Sequence, residues 1–137
     1  MQRWEAPLPV SSACNAKCLG CISLQENKRF PASHERISFT PGVEEIVDIA
    51  SHHLENAKEP IVSFGQGCEG EPLLKSEIIT HSIKEIRKKT KKGVIHINTN
   101  GYSPEKVAKL CDAGLDSIRI SISSTREKLY NAYYLSL

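Results

Sequence analysis

Three cysteines near the start of the chain, Cys14, Cys18 and Cys21, follow the spacing C-x3-C-x2-C. Thiolates on one short loop can converge on a single centre, and they suit zinc or an iron–sulfur cluster. A structural zinc site usually has four protein ligands, whereas three cysteines leave one iron of a four-iron cluster free for an outside ligand. The spacing predicts a metal centre and leaves open a Cys3His zinc site, an iron–sulfur cluster and unligated cysteines. The candidate fourth ligands, by residue type, are His34, Cys68 and Cys111.

The composition indicates one domain without a charged binding surface. The chain has 137 residues, and 18 Lys and Arg against 16 Asp and Glu give a net charge of +2. That length fits one domain, and the balanced charge gives no reason to expect a nucleic-acid partner. No apolar run approaches the ~18 residues of a transmembrane helix, and residues 1–10 do not read as a signal peptide. We therefore expect a cytoplasmic protein whose five cysteines are free, metal-bound or catalytic, with no membrane partner.

Strand-like and helix-like segments alternate along the chain, which predicts an α/β fold with a parallel sheet. One pair per ~30 residues is typical of βαβ units, so the chain has room for about four units, against the roughly 250 residues of a complete eight-unit barrel. A long irregular stretch, residues 13–38, holds the three cysteines, and such stretches are usually functional. The predicted strands are residues 6–12, 61–64, 94–97 and 117–122. The helices are predicted to start with Thr40 as cap and Pro41 in the first turn, near Leu74, at Ser103 and Pro104, and near Ser124, the last continuing to Leu137.

The unusual residues all follow the C-terminal ends of predicted strands. They are the cysteine loop, a glycine-rich loop over residues 65–72, the sequence Asn-Thr-Asn-Gly at 98–101 and the serines after Arg119. In parallel sheets, ligand sites collect at this edge. We therefore expect these four segments to form one site.

Four segments resemble, in family order, motifs of the radical S-adenosylmethionine (radical SAM) enzymes. CNAKCLGC at 14–21 is similar to the family's cluster motif, and EGEP at 69–72 resembles its Gly-Gly-Glu-Pro motif. NTNG at 98–101 and SIRISISS at 117–124 resemble the ends of its third and fourth strands. The resemblance covers about residues 6–130, and it implies a partial (β/α) barrel.

The resemblance also implies a chemistry. Cys14, Cys18 and Cys21 would each bind one iron of a [4Fe-4S] cluster, whose fourth iron would chelate the amino and carboxylate groups of S-adenosyl-L-methionine. Reductive cleavage of that cofactor would give a 5′-deoxyadenosyl radical, which abstracts hydrogen from a substrate that the sequence does not reveal. The electron donor implied by the resemblance is a flavodoxin or a ferredoxin. The protein would position the cofactors and exclude solvent.

Other residues are cofactor contacts by resemblance. Glu71 and nearby carbonyls would accept hydrogen bonds from the cofactor's ammonium group, and Gly70 would allow close backbone approach. The structural alternatives are a glycine-rich turn with Glu71 in solvent or capping the next helix, turn-forming asparagines and serines that fill the interior. The remaining assigned contacts are Pro72, Asn98, Asn100, Ser121 and Ser123.

Two positions depart from the family pattern. Glu69 stands where the family usually has a glycine, and we expect its side chain either to crowd the cofactor or to add a second acceptor. Gly20 stands where an aromatic residue often packs near the adenine, so this loop is expected to lack that contact.

Several polar residues and one cysteine have mainly structural predictions. Arg119 would share the face of the strand-end serines, and His96 would line the interior as a packed side chain. Cys111 is predicted to lie in the core, and the basic run at 84–92 to form a solvated helix end. Exposed helical positions are predicted for His52, His53 and His81.

The family barrel has about six βα units, against eight in a complete barrel, and this chain has about four. We therefore expect residues 1–137 to be the N-terminal portion of a radical SAM core domain, with open sheet edges. The alternatives are a non-catalytic module that holds zinc or an iron–sulfur cluster, or an inactive fragment of a longer enzyme.

Overall fold

The protein, seen here in a computed structural model that describes residues 4–25 and 31–134, is built on a four-stranded parallel sheet. The strands lie in chain order, which is the order of consecutive βα units in a barrel. This confirms the predicted α/β fold, an open partial barrel of about four units. Predictions that fall on residues 1–3, 26–30 and 135–137 lie outside the described residues. The strands are β1 (Glu5–Pro7), β2 (Ile61–Phe64), β3 (Val94–Thr99) and β4 (Ser117–Ile120).

Helices cover one face of this sheet and form the core with it. Each amphipathic helix contributes the apolar side chains along one of its faces to the core. Alternate residues of the strands contribute the other apolar side chains of the core. The helices are α1 (Val43–Asn56), a short 3-10 helix (Pro72–Lys75), α2 (Ser76–Lys89), α3 (Pro104–Ala113) and α4 (Glu127–Tyr134). The fully buried side chains include Val10, Leu54, Val62, Phe64, Leu73, Ile79, Ile83, Ile86, Ile95, Ile97 and Leu110.

The start of α1 differs from the prediction. Gly42 is the N-cap, and Thr40 and Pro41 precede the helix. The Glu45 carboxylate accepts the backbone N–H of Gly42 at 2.8 Å, which satisfies a donor at this helix end that would otherwise lack a partner. The helix therefore begins two residues later than the Thr-Pro pair suggests.

The start of the second predicted helix differs from the prediction, and one prediction of burial is wrong. Leu74 lies in the 3-10 helix that precedes α2, so its direction departs from the α-helical period; Leu73 is fully buried and Leu74 is exposed. Cys111 is exposed as well. The buried face of α3 is set by Leu110 and Ala113, three residues apart, and Cys111 is turned away from that face.

The other face of the sheet is polar. Glu5, His96 and Arg119 line an open cleft of about 360 Å³ along this concave face. On the opposite face of β4, Ile118 and Ile120 are exposed at the edge of the described sheet, as the open-edge prediction requires. The sheet is thus apolar toward its helices and polar toward the inside of the partial barrel.

The strands otherwise differ from prediction mainly in length. β1 starts one residue earlier than predicted and ends at Pro7, β3 extends to Thr99, and β4 ends at Ile120. α3 starts as predicted, with Ser103 as cap and Gly114 in the left-handed conformation at its end. None of the helices in the described ranges is long and apolar enough to cross a membrane.

Candidate metal and cofactor site

The three cysteines of the predicted cluster loop lie beyond the C-terminal end of β1. All three are half-buried and free of disulfide bonds. Burial raises the pKa of the Cys18 thiol, and the neighbouring Cys14 and Cys21 thiols raise it further. Burial also acts to raise the pKa of the Cys21 thiol. Hydrogen bonds from Ser23 and other donors outweigh this effect, so the pKa of Cys21 is lowered. The loop therefore places three soft ligands in one environment.

The glycine-rich loop after β2 is hydrogen-bonded directly to the start of the cluster loop. The N–H of Gly70 donates to the carbonyl of Ser11 at 2.6 Å, and the N–H of Glu71 donates to Ala13 at 2.9 Å. A Cβ at Gly70 would lie 1.9 Å from the Ala13 carbonyl oxygen, so only glycine permits this approach. The predicted juxtaposition of these two segments is therefore present.

Glu69 lies inside this junction. Its side chain is 3% exposed, and its carboxylate accepts the N–H groups of Val10 at 2.9 Å, Ser11 at 3.0 Å and Gly65 at 2.5 Å. Burial raises the pKa of Glu69 to about 6, against the opposing effect of these three N–H groups. The side chain therefore connects two loops from a buried position, and the expectation that it crowds the cofactor or adds an acceptor stays a prediction.

Glu71 joins the same junction to the end of β3. The residue is 4% exposed, and its carboxylate accepts the N–H of Leu73 at 3.0 Å, the hydroxyl of Thr99 and the N–H of Asn100 at 2.8 Å. The contact with Leu73 is the helix-capping contact of the structural alternative, at the start of the 3-10 helix. A carboxylate has about four lone-pair sites, so these three donors leave one acceptor site.

The Asn-Thr-Asn-Gly turn meets the cluster loop through its second asparagine. The Asn100 side-chain amide donates to the Asn15 side-chain oxygen at 2.8 Å, and Asn100 Oδ1 accepts the N–H of Tyr102. Asn98 is buried, and its Oδ1 lies 3.1 Å from His96 Nε2. Asn15 is a residue that the sequence analysis missed, because nothing in its local pattern marks it.

The remaining predicted contacts are less closely gathered. Pro72 is buried and starts the 3-10 helix. Ser121 and Ser123 lie beyond β4 and are exposed, and the N–H of Ser121 donates to the carbonyl of Thr99 at 2.8 Å. That bond places Ser121 beside the turn after β3, at the same edge of the sheet as the cysteine loop.

The end of α4 supports the cluster loop, which the sequence did not indicate. The N–H of Leu19 donates to the carbonyl of Tyr133 at 3.1 Å. The Tyr133 hydroxyl oxygen lies 2.9 Å from where a Cβ of Gly20 would be. Gly20 thus leaves space that a tyrosine from α4 fills.

The next residues are the five histidines and Cys68. His96 Nδ1 lies 2.9 Å from the Ser117 hydroxyl, which confirms a packed side chain on the concave face. Cys68 is half-buried and lines an open cleft of about 670 Å³ with His34. His52 and His81 are exposed as predicted, whereas His53 is half-buried, with Nε2 3.0 Å from the Trp4 carbonyl oxygen.

The donor set fits an iron–sulfur cluster in chemistry. Three free thiols on one half-buried loop are soft ligands for iron. Within residues 4–25 and 31–134, no three His, Cys, Asp or Glu side chains are gathered closely enough to hold one metal ion. Metal binding is coupled to local folding, so the loop is expected to draw its thiols together when it is loaded.

The comparison with known families agrees with the fold. The sequence profile described as "Radical SAM superfamily" matches residues 8–135. The chain therefore belongs to the radical SAM superfamily, which is a family of enzymes.

Curated relatives give a narrower similarity. A "Probable GTP 3',8-cyclase" of Methanococcus maripaludis is 32% identical over 126 residues, which are 90% of this chain and 37% of that protein. A protein of the same printed name from Thermococcus kodakarensis is 32% identical over 127 residues, 90% of this chain and 36% of the relative. A "GTP 3',8-cyclase" of Limosilactobacillus fermentum is 29% identical over 128 residues, which are 90% of this chain and 34% of that protein. The chain spans a little over a third of the length of these relatives.

Proposed function

We propose that residues 1–137 are the N-terminal portion of a radical SAM core domain whose Cys14, Cys18 and Cys21 hold a [4Fe-4S] cluster. The observation that carries the proposal is the direct backbone pairing between the cysteine loop and the Gly70–Glu71 segment. It brings two segments with motif resemblance, 56 positions apart between Cys14 and Gly70, to one edge of the sheet. Superfamily membership supplies the rest of the support.

The chemistry would come from the cofactors. When bound, the cluster would supply the electron that cleaves S-adenosyl-L-methionine to methionine and a 5′-deoxyadenosyl radical, which takes a hydrogen atom from the substrate. A reductant must supply that electron, and by family resemblance we propose a flavodoxin or a ferredoxin.

The chain's own residues would bind and orient. Glu71 is held by three donors and keeps one acceptor site, which suits an ammonium N–H of the cofactor. Asn98, Asn100, Ser121 and Ser123 are proposed as further polar contacts at the same edge. The polar cleft along the concave face, with Glu5, His96 and Arg119, would face the substrate.

We propose GTP as the first substrate to test, on the support of the relatives' printed names. The assay measures 5′-deoxyadenosine released from S-adenosyl-L-methionine by the reduced, reconstituted protein, with GTP, with ATP and with no nucleotide. GTP-dependent release supports the substrate. Equal, measurable release under the three conditions contradicts GTP but leaves the radical chemistry supported, whereas no release under any condition favours the inactive fragment.

The metal assignment has its own test. Iron, sulfide and zinc are counted after anaerobic reconstitution of the wild type, Cys18→Ser and Cys111→Ser. Cys111 is the matched control because it is exposed on α3, away from the loop. We expect iron in the wild type and the control and its loss in Cys18→Ser; zinc in the wild type and the control, lost in Cys18→Ser, would favour the structural module instead.

A further inference from the structure

Arg36 touches the proposed cluster loop at three places. Its Nε donates to the Ser23 hydroxyl at 2.9 Å, Nη1 to the Ser12 carbonyl at 3.4 Å and Nη2 to the Cys21 sulfur at 3.5 Å. We infer that Arg36 is a positioning residue that acts through Cys21 to raise the reduction potential of the cluster. The inference rests on the proposed function, because it needs a cluster at these cysteines.

Arg36 donates to the Cys21 sulfur whatever the neighbouring hydroxyl does. Ser23 Oγ lies 3.2 Å from the Glu69 carbonyl oxygen and 3.6 Å from Cys21 Sγ. A hydroxyl has one hydrogen, which either of these acceptors can take. A guanidinium has only donors and a metal-bound thiolate only accepts, so the contact between Arg36 Nη2 and Cys21 Sγ has one possible direction.

The guanidinium is suited to this position. It is planar, permanently charged and presents neighbouring N–H groups in a rigid fork, which here spans the Ser23 oxygen and the Cys21 sulfur. Two backbone bonds fix the segment that carries it: His34 N–H to Ile22 at 3.0 Å and Ile37 N–H to Cys68 at 2.8 Å. Backbone bonds on either side of Arg36 in the sequence therefore keep its guanidinium next to the cluster loop.

The effect on the potential follows from charge. The reduced cluster carries one more negative charge than the oxidised cluster, so a nearby cation and an N–H···S bond stabilise it more. Hydrogen bonds to the sulfurs and net charge are among the factors that set cluster potentials. Arg36 is half-buried, where solvent screens a charge less than at the surface.

The test is a potentiometric titration of the reconstituted full chain, followed by EPR. For Arg36→Gln we expect an equilibrium constant for one-electron reduction that is about tenfold smaller, a midpoint lower by about 59 mV. Arg36→Lys keeps the charge without the fork and should fall between. Lys88→Gln is the matched control, because it removes one exposed positive charge in the last turn of α2, at the opposite end of the sheet. Its midpoint should equal that of the wild type.

The inference is overturned if Arg36→Gln and Arg36→Lys both have the wild-type midpoint. If Arg36→Gln does not fold, the comparison of Arg36→Lys with the wild type decides, since an unchanged midpoint there contradicts the role of the fork. A wild type that takes up no iron would overturn the proposed function, and this inference with it. That failure is recognised from the iron content before any potential is measured.

Discussion

The Glu69 carboxylate accepts the backbone N–H of Val10 at 2.9 Å, across 59 positions of the chain. The bond joins the segment after β1 to the loop after β2, beneath the cysteine loop. It is one of three backbone N–H bonds to a single buried carboxylate, so the geometry of the proposed site depends on this side chain.

This carboxylate predicts a dependence of stability on pH. The folded protein raises the pKa of Glu69 from its ordinary value of 4.5 to about 6, so between these values the folded state binds more protons than the unfolded state. The contribution of Glu69 to stability is therefore full below pH 4.5 and lost as pH rises through 6. The loss is about 2 kcal/mol in the free energy of unfolding.

The measurement is urea unfolding from pH 4 to pH 7 for the wild type and Glu69→Gln. We expect the difference between the two free energies to change across the window from 4.5 to 6, because glutamine does not titrate. The control is Glu77→Gln, which alters an exposed glutamate in the first turn of α2. A difference that is constant with pH for Glu69→Gln would show that the carboxylate is not buried as described.

The close approach of the two loops at Gly70 requires a residue without a side chain. A Cβ there would lie 1.9 Å from the Ala13 carbonyl oxygen, so Gly70→Ala must separate the loops. We expect a loss of about 1–3 kcal/mol in the free energy of unfolding, the usual cost of overpacking, and a lower iron content after reconstitution.

The matched control for Gly70 is Gly42→Ala. A Cβ at Gly42 would meet only the Glu45 carboxylate, at 3.7 Å, and its φ of −72° suits any residue. Its stability should stay within about 1 kcal/mol of the wild type, since its backbone needs no glycine. Equal effects of the two substitutions would contradict the close approach at Gly70.

We expect the Thr99 hydroxyl to hold the Glu71 carboxylate in position. The Thr99 hydroxyl donates to the buried Glu71 carboxylate and accepts the N–H of Gly101 at 3.1 Å. Thr99→Val keeps the shape but removes both bonds, which should cost about 1–3 kcal/mol. Since Glu71 is proposed to accept the cofactor's ammonium group, S-adenosyl-L-methionine should also bind several-fold more weakly by equilibrium dialysis.

The variant Thr99→Ser distinguishes the contribution of the hydroxyl from that of the methyl group. It keeps the donor, so its affinity for S-adenosyl-L-methionine should stay near that of the wild type. If Thr99→Val and Thr99→Ser bind equally well, the hydroxyl does not position Glu71 for the cofactor.

Much of the fold could be predicted from local patterns. β2 is the short apolar run after Pro60, and α3 is marked by Ser103, Pro104 and the left-handed Gly114. These signals are local, because each depends on neighbouring residues alone. α2 begins at Ser76 instead of near Leu74 because a 3-10 helix precedes it.

The contacts within the site were less predictable because they join distant residues. The cysteines and the Glu71 motif stand out in sequence, but Glu69 differs from the family glycine and its three N–H partners lie on two segments. Arg36 is 15 positions from Cys21, without a spacing that marks it. Only the folded chain shows that these side chains serve the same loop.

The three cysteines are proposed to hold a cluster with one iron open to S-adenosyl-L-methionine. The most direct test is EPR of the anaerobically reconstituted, dithionite-reduced protein, with and without that cofactor, together with iron and sulfide analysis. We predict about four irons per chain and a spectrum that shifts when S-adenosyl-L-methionine is added. Zinc in place of iron, or a cluster signal that the cofactor leaves unchanged, would contradict the claim.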